Sequence, residues 1–139
     1  MILFKIVVTK GNSDSSSVTP MNLTQYNNFC AGLPQTTNVV QWGGASVWKV
    51  GGKVFAIGWF DNSVDHGITF KCSPMSFEML RSLNGCRPAP YFASRGMKWI
   101  QRTKEAELSD KELKAYLRES HRLVAAGLSK KKQRELGLE

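Results

Sequence analysis

The feature that most constrains this chain is the segment Val47–Ala56, where Gly51-Gly52 separates two runs of β-branched and aromatic residues. Both glycines can take the positive φ that a type I′ turn requires, so the segment reads as a two-residue β-hairpin. Such a turn selects one register. Val50 then faces Lys53, Lys49 faces Val54, Trp48 faces Phe55 and Val47 faces Ala56. Alternation along a strand places Trp48, Val50, Phe55, Ile57 and Trp59 on one face. Val47, Lys49, Val54, Ala56, Gly58 and Phe60 fall on the other. The bulky set is assigned to the core, because burying each large apolar side chain stabilises by about 1.5–3 kcal/mol.

The hairpin sits among further short strands. Val39–Trp42, Ser46–Val50, Lys53–Phe60, Ile68–Cys72 and Lys98–Arg102 have strand composition and are bounded by turn residues. Before them, Leu23, Tyr26, Phe29, Cys30 and Leu33 recur at helical spacing, with Asn22 or Thr24 as cap and Gly32-Pro34 as stop. Ser73-Pro74 starts a second helix, with proline at a position where its missing N–H costs nothing. Its apolar face reads as Met75, Met79, Leu80 and Leu83, while Cys86–Tyr91 is too proline-rich for regular structure. Ser109-Asp110-Lys111-Glu112 is a capping box opening the last helix. Leu113, Tyr116, Leu117, Ser120, Val124 and Leu128 form its stripe.

The order helix, four strands, helix, strand, helix implies an α+β two-layer sandwich. It has an antiparallel sheet of about five strands and helices on one face. The 139 residues allow a single domain. Residues 1–21 read as an extension, either a flexible segment around Gly11–Ser17 or an added edge strand at Leu3–Val8; residues 22–139 form the domain. No apolar run approaches the ~20 residues needed to span a bilayer. Leu3–Val8 is also too short and interrupted for a signal-peptide core. The expected location is the cytoplasm, away from membranes.

Chemistry is constrained by what the residues lack. Cys30, Cys72 and Cys86 are odd in number and dispersed, giving neither a disulfide framework nor a zinc spacing. His66 and His121 are the two near-neutral bases, and neither stands in a nucleophile–base pattern. Ser120 and His121 are neighbours on a helix and diverge by ~100°. No enzyme activity, cofactor or metal is therefore expected. Charge points elsewhere: 19 Lys+Arg against 11 Asp+Glu give +8, a balance that suits a polyanion through counterion release.

Two basic surfaces are candidates. On the smaller sheet face, Lys49 and Lys71 would be open to solvent, with Lys98 and Arg102 extending the patch and Trp99 able to stack on a base or sugar. Along the last helix Lys111, Lys114, Arg118 and Arg122 recur at spacings of three or four, and Lys130, Lys131 and Lys132 continue the charge. The same lysines also suit merely solvated surfaces. Trp42, Tyr91 and Phe92 have no secure place in the core.

These segments together resemble the MmcQ/YjbR family. The likeness runs from about Asn22 to Arg134. It is carried by Val47–Ala56, Phe70–Pro74, Pro88–Tyr91, Lys98-Trp99-Ile100 and Ser120–Val124 with Lys130-Lys131-Lys132. It departs at His121, where tyrosine is typical. The resemblance implies a frataxin-like or secretion-chaperone-like α+β fold and DNA binding through a "double wing" surface. The resulting expectation is a monomeric module on double-stranded DNA, contacting mainly phosphate. The alternative is a chaperone-like protein adaptor, which a contiguous apolar patch on the open sheet face would favour.

Overall fold

The structure, a computed structural model, describes residues 21–60, 67–103 and 106–138. In chain order these form α1 Leu23–Ala31, β1 Thr36–Gln41, β2 Ala45–Val50, β3 Lys53–Gly58, β4 Gly67–Lys71 and α2 Pro74–Leu80. There follow β5 Cys86–Pro88, α3 Pro90–Ala93, β6 Trp99–Thr103, α4 Asp110–Ala126 and α5 Lys130–Leu136. All strands join one antiparallel sheet in the order β1-β2-β3-β4-β6-β5. The fold is α+β, and among the described residues the sheet has six strands where about five were expected.

Local chemistry explains most elements. Asn22 and Ser109 each accept from the N3 backbone N–H, and Gln25 and Glu112 return the bond, so both capping boxes close. Ser73 caps α2 with Pro74 behind it. In α2 the buried pair is Phe77 and Leu80, whereas Met75 and Met79 are exposed. Of the expected stripe, Leu80 is buried and Leu83 packs against the core, while Phe77 takes the place expected for Met75 and Met79. Proline in Cys86–Tyr91 did not prevent regular structure: Pro88 lies on β5, an edge strand, where no ladder N–H is needed from it. Gly127 ends α4, and Ser129 caps a further short helix, α5. Gln133 ties α5 back by donating to the carbonyls of Ala125, Ala126 and Leu128.

The hairpin register holds for Val50↔Lys53 and Lys49↔Val54, then slips. Trp48 pairs with Ala56 and Val47 with Ile57, so Phe55 is an extra residue in β3, a β-bulge. Phe55 and Ala56 both face the helices, and the alternation beyond them is inverted. Ile57 and Trp59, expected in the core, pack with Ala45, Val47, Val54 and Phe92 on the opposite face. Gly58 takes the inward position, where an added Cβ would strike the Tyr26 ring at 2.7 Å. The main core, between sheet and helices, is built on Tyr26, Phe55, Phe70, Leu80, Ile100, Leu113 and Leu117.

Helices α1, α2 and α4 cover one face. Helix α3 crosses to the other, where Phe92 stacks on Trp99 with ring centroids 4.5 Å apart. The expectation of helices on one face is corrected to that extent. Met21 is buried in the core and its N–H donates to Asp110 Oδ1. The alternatives for residues 1–20 lie outside the described residues. No described helix is long and apolar enough to cross a membrane.

Candidate functional site

One cross-strand row spans the sheet on the face that α3 only partly covers. Val39 pairs with Val47, Val47 with Ile57, Ile57 with Thr69, Thr69 with Gln101, and Gln101 with Arg87. Directly opposed side chains in such rows lie ~4.5–5.5 Å apart at Cβ, so the row forms a continuous floor. It is apolar over β1, β2 and β3 and polar over β4, β6 and β5. Arg87 Nε donates to Gln101 Oε1 at 2.8 Å, which orients the amide.

A pocket of about 870 Å³ stands on the central and polar part of this floor. Its floor is Ile57, Thr69, Gln101 and Arg87; its walls are Trp42, Val54, Trp59 and the Ala89–Phe92 segment. Trp42 hangs at the rim, 53% exposed, from the three-residue turn between β1 and β2. Its φ is +50°, a conformation that is a real outlier for a bulky side chain and costs on the order of 1–3 kcal/mol. Tyr91 is 64% exposed on the other wall.

The predicted contact residues separate. Lys49 and Lys71 do lie on this face, half-buried, at the hairpin end of the pocket: Val54, a lining residue, pairs with Lys49, and Lys71 is two residues beyond Thr69. Trp99 faces the same way but is buried beneath Phe92, so it cannot stack on a base. Lys98 belongs to the helical side, with Nζ 4.9 Å from the Phe77 ring centroid.

Arg102 is corrected outright. It shares the parity of Ile100 and so points into the helical layer, 6% exposed. There Nε and Nη2 donate to Leu108 O, and Nη2 pairs with Asp110 at 2.9 Å. Lys130, Lys131 and Lys132 are exposed on the first turn of α5, away from the pocket's lining. Lys111, Lys114, Arg118 and Arg122 are exposed on α4, where Lys114 and Arg118 lie over the Phe29 ring and Arg122 is paired with Glu119.

The three thiols are buried and unpaired with one another. Burial pushes Cys30 and Cys72 up to about 12 and Cys86 up to about 11, the reverse of an activated nucleophile. His121 is buried on α4, its Nε2 2.8 Å from Pro34 O and its ring edge-on to Phe55. Among the described residues, no three His, Cys, Asp or Glu side chains converge as metal ligands.

Trp42, Arg87 and Gln101 were missed as site residues. The run Trp42-Gly43-Gly44 is a turn signature carrying a tryptophan, and that was a usable sign of an aromatic held out from the core. Gln101 follows from parity once Ile100 is placed inside. Nothing in the sequence marks Arg87.

A family model described as YjbR matches residues 31–123. Among solved structures, the crystal structure of Deinococcus radiodurans protein DR2400, described as a DUF419 domain, superposes with a TM-score of 0.72 at 24% identity. The alignment covers 87% of this chain and 92% of that one, so the likeness in fold extends well beyond the matched segment. No curated protein matches.

Proposed function

The chain belongs to the YjbR family, and from that premise we propose that it is a nucleic-acid-binding module, not an enzyme, working through the open sheet face. One observation supports the reading. On a chain of net charge +8, an aromatic-walled pocket has Lys49 and Lys71 at its margin and Arg87 on its floor. Cations that neutralise phosphates supply affinity through counterion release, and aromatic side chains supply stacking surface for bases.

The pocket changes which form of nucleic acid fits. A stacked duplex offers phosphates to a convex or grooved basic surface, whereas a concave aromatic site suits a base that is free to leave the stack. An unpaired strand therefore suits this face better than double-stranded DNA. A salt titration of binding to a random single strand tests it. Two phosphate contacts, at Lys49 and Lys71, predict a log–log slope near −1.4, at about −0.7 per contact for single strands, and a loss of roughly sevenfold between 50 and 200 mM salt. Lys71→Gln should shallow the slope by about 0.7, and Lys114→Gln on α4 should do less. Absence of binding at low salt would remove the reading.

The largely apolar walls favour a second reading, a protein adaptor that seats a hydrophobic anchor of its partner in the pocket. Affinity for such a partner would be nearly independent of salt.

A further inference from the structure

The pocket floor carries two polar side chains, a hydroxyl and an amide. Thr69 and Gln101 are each 5% exposed, and both line the pocket. Gln101 Oε1 is occupied by Arg87 Nε, which leaves the Nε2 donors directed elsewhere. Thr69 and Gln101 are a directly opposed cross-strand pair, and both border the pocket space. An amide and a hydroxyl side by side at the base of an aromatic-walled site can bond a ligand that brings acceptors into it, as the few polar groups of ligand pockets do.

Three further features narrow the ligand. The volume, about 870 Å³, lies in the ~300–1,000 Å³ range of sites that enclose a drug-sized molecule, the size class of one nucleotide. The exposed rings of Trp42 and Tyr91 and the half-buried ring of Trp59 favour a flat partner. Trp42 is held out in a left-handed backbone conformation at the rim, an arrangement that core packing does not explain. Lys49 and Lys71 stand just outside the floor row, placed for an anion attached to the ring and not for the ring itself.

Resting on the nucleic-acid reading, we infer that the pocket accepts one unpaired nucleobase of a single strand. Gln101 Nε2 and Thr69 Oγ1 bond acceptors on the base edge, Trp42 closes over its face, and the adjoining phosphates meet Lys49 and Lys71.

The test compares a short homothymidine strand with an abasic strand of the same length and phosphate count. Affinity is read by anisotropy and by quenching of intrinsic tryptophan fluorescence. The base-bearing strand is expected to bind on the order of tenfold or more tighter, since stacking of one base is worth that much. Trp42→Ala, at an exposed position, should bring the affinities for the two strands to the same value. Gln101→Leu should reduce the difference in the same direction. Equal affinity of the two strands, with parallel salt slopes, would overturn the base pocket and leave phosphate binding standing. Binding of neither strand would overturn both readings together. Thymidine monophosphate binding as tightly as the strand would overturn the assignment to a strand in favour of a free nucleotide.

Discussion

Ser120→Ala is the substitution whose cost the structure defines most closely. The Ser120 hydroxyl, buried on α4, donates to the Phe55 carbonyl at 2.7 Å and accepts from the Lys71 N–H at 2.9 Å. These two backbone groups lie where β3 leaves β4: the last described pair at that end is Ala56↔Phe70, because the bulge at Phe55 draws β3 out of register. The serine replaces a ladder bond with two side-chain bonds. Alanine removes both and nothing else of consequence. Each orphaned buried group costs about 1–3 kcal/mol. With Lys71 half-buried, the sum should fall near 2–4 kcal/mol. At about 4 °C per kcal/mol for a chain of this length, the melting midpoint should drop by roughly 8–16 °C. Urea denaturation should show a lower midpoint with an unchanged m-value, and the Lys71 amide should exchange faster. Arg122→Ala, an exposed position on the same helix paired with Glu119, should change stability by less than about 0.5 kcal/mol. If Ser120→Ala falls within that same margin, the bulge does not depend on the serine and the account of this junction is wrong.

Two other perturbations test the placement of buried groups. Cys30, Cys72 and Cys86 should resist a thiol reagent in the native protein and react fully in denaturant. Because burial raises their folded pKa to about 11–12, from an ordinary value of 9, folding holds their protons longer than unfolding does. Stability from this source is complete below pH 9 and is lost as pH rises toward 12, so the melting midpoint should be level near neutrality and fall through that window. Arg102→Gln should lower stability by about 2–4 kcal/mol, through the lost bonds to Leu108 and the unpaired Asp110. It should leave the salt slope of strand binding unchanged; a shallower slope with a normal melting curve would return Arg102 to the binding surface.

What was legible in the sequence follows how local its physics is. Caps at Asn22, Ser73 and Ser109 are settled by bonds reaching three residues, and each helix start agrees with them. The Gly51-Gly52 turn is equally local, and the register beside it holds for two pairs. The α4 stripe succeeds because Leu113, Tyr116, Leu117, Ser120 and Val124 repeat over several turns. Helix α2 is too short for such averaging, and Met75 and Met79 misled where Phe77 carries the contact. Arg102 failed for a different reason. A guanidinium suggests exposure, but parity with Ile100 places it inside, where Leu108 and Asp110 satisfy it.

The site itself was hidden by one inserted residue. With strict alternation, Ile57 and Trp59 belong to the core and the outer face retains small residues and lysines, a surface for phosphate alone. The bulge at Phe55 absorbs one step of the alternation, so Ala56 and Gly58 turn inward and Ile57 and Trp59 turn outward. That exchange is tolerated inside because Gly58 leaves room for the Tyr26 and Phe60 rings, which any side chain there would displace. Outside, it delivers an aliphatic floor residue and an aromatic wall to the face that already holds Thr69, Gln101 and Arg87. Bulges are common beside functional sites because they re-aim side chains without ending the sheet. Here the same device explains why Ser120 must bridge β3 to β4 and why the outer face is a pocket. The stability of that junction and the binding chemistry of the face thus share one structural cause.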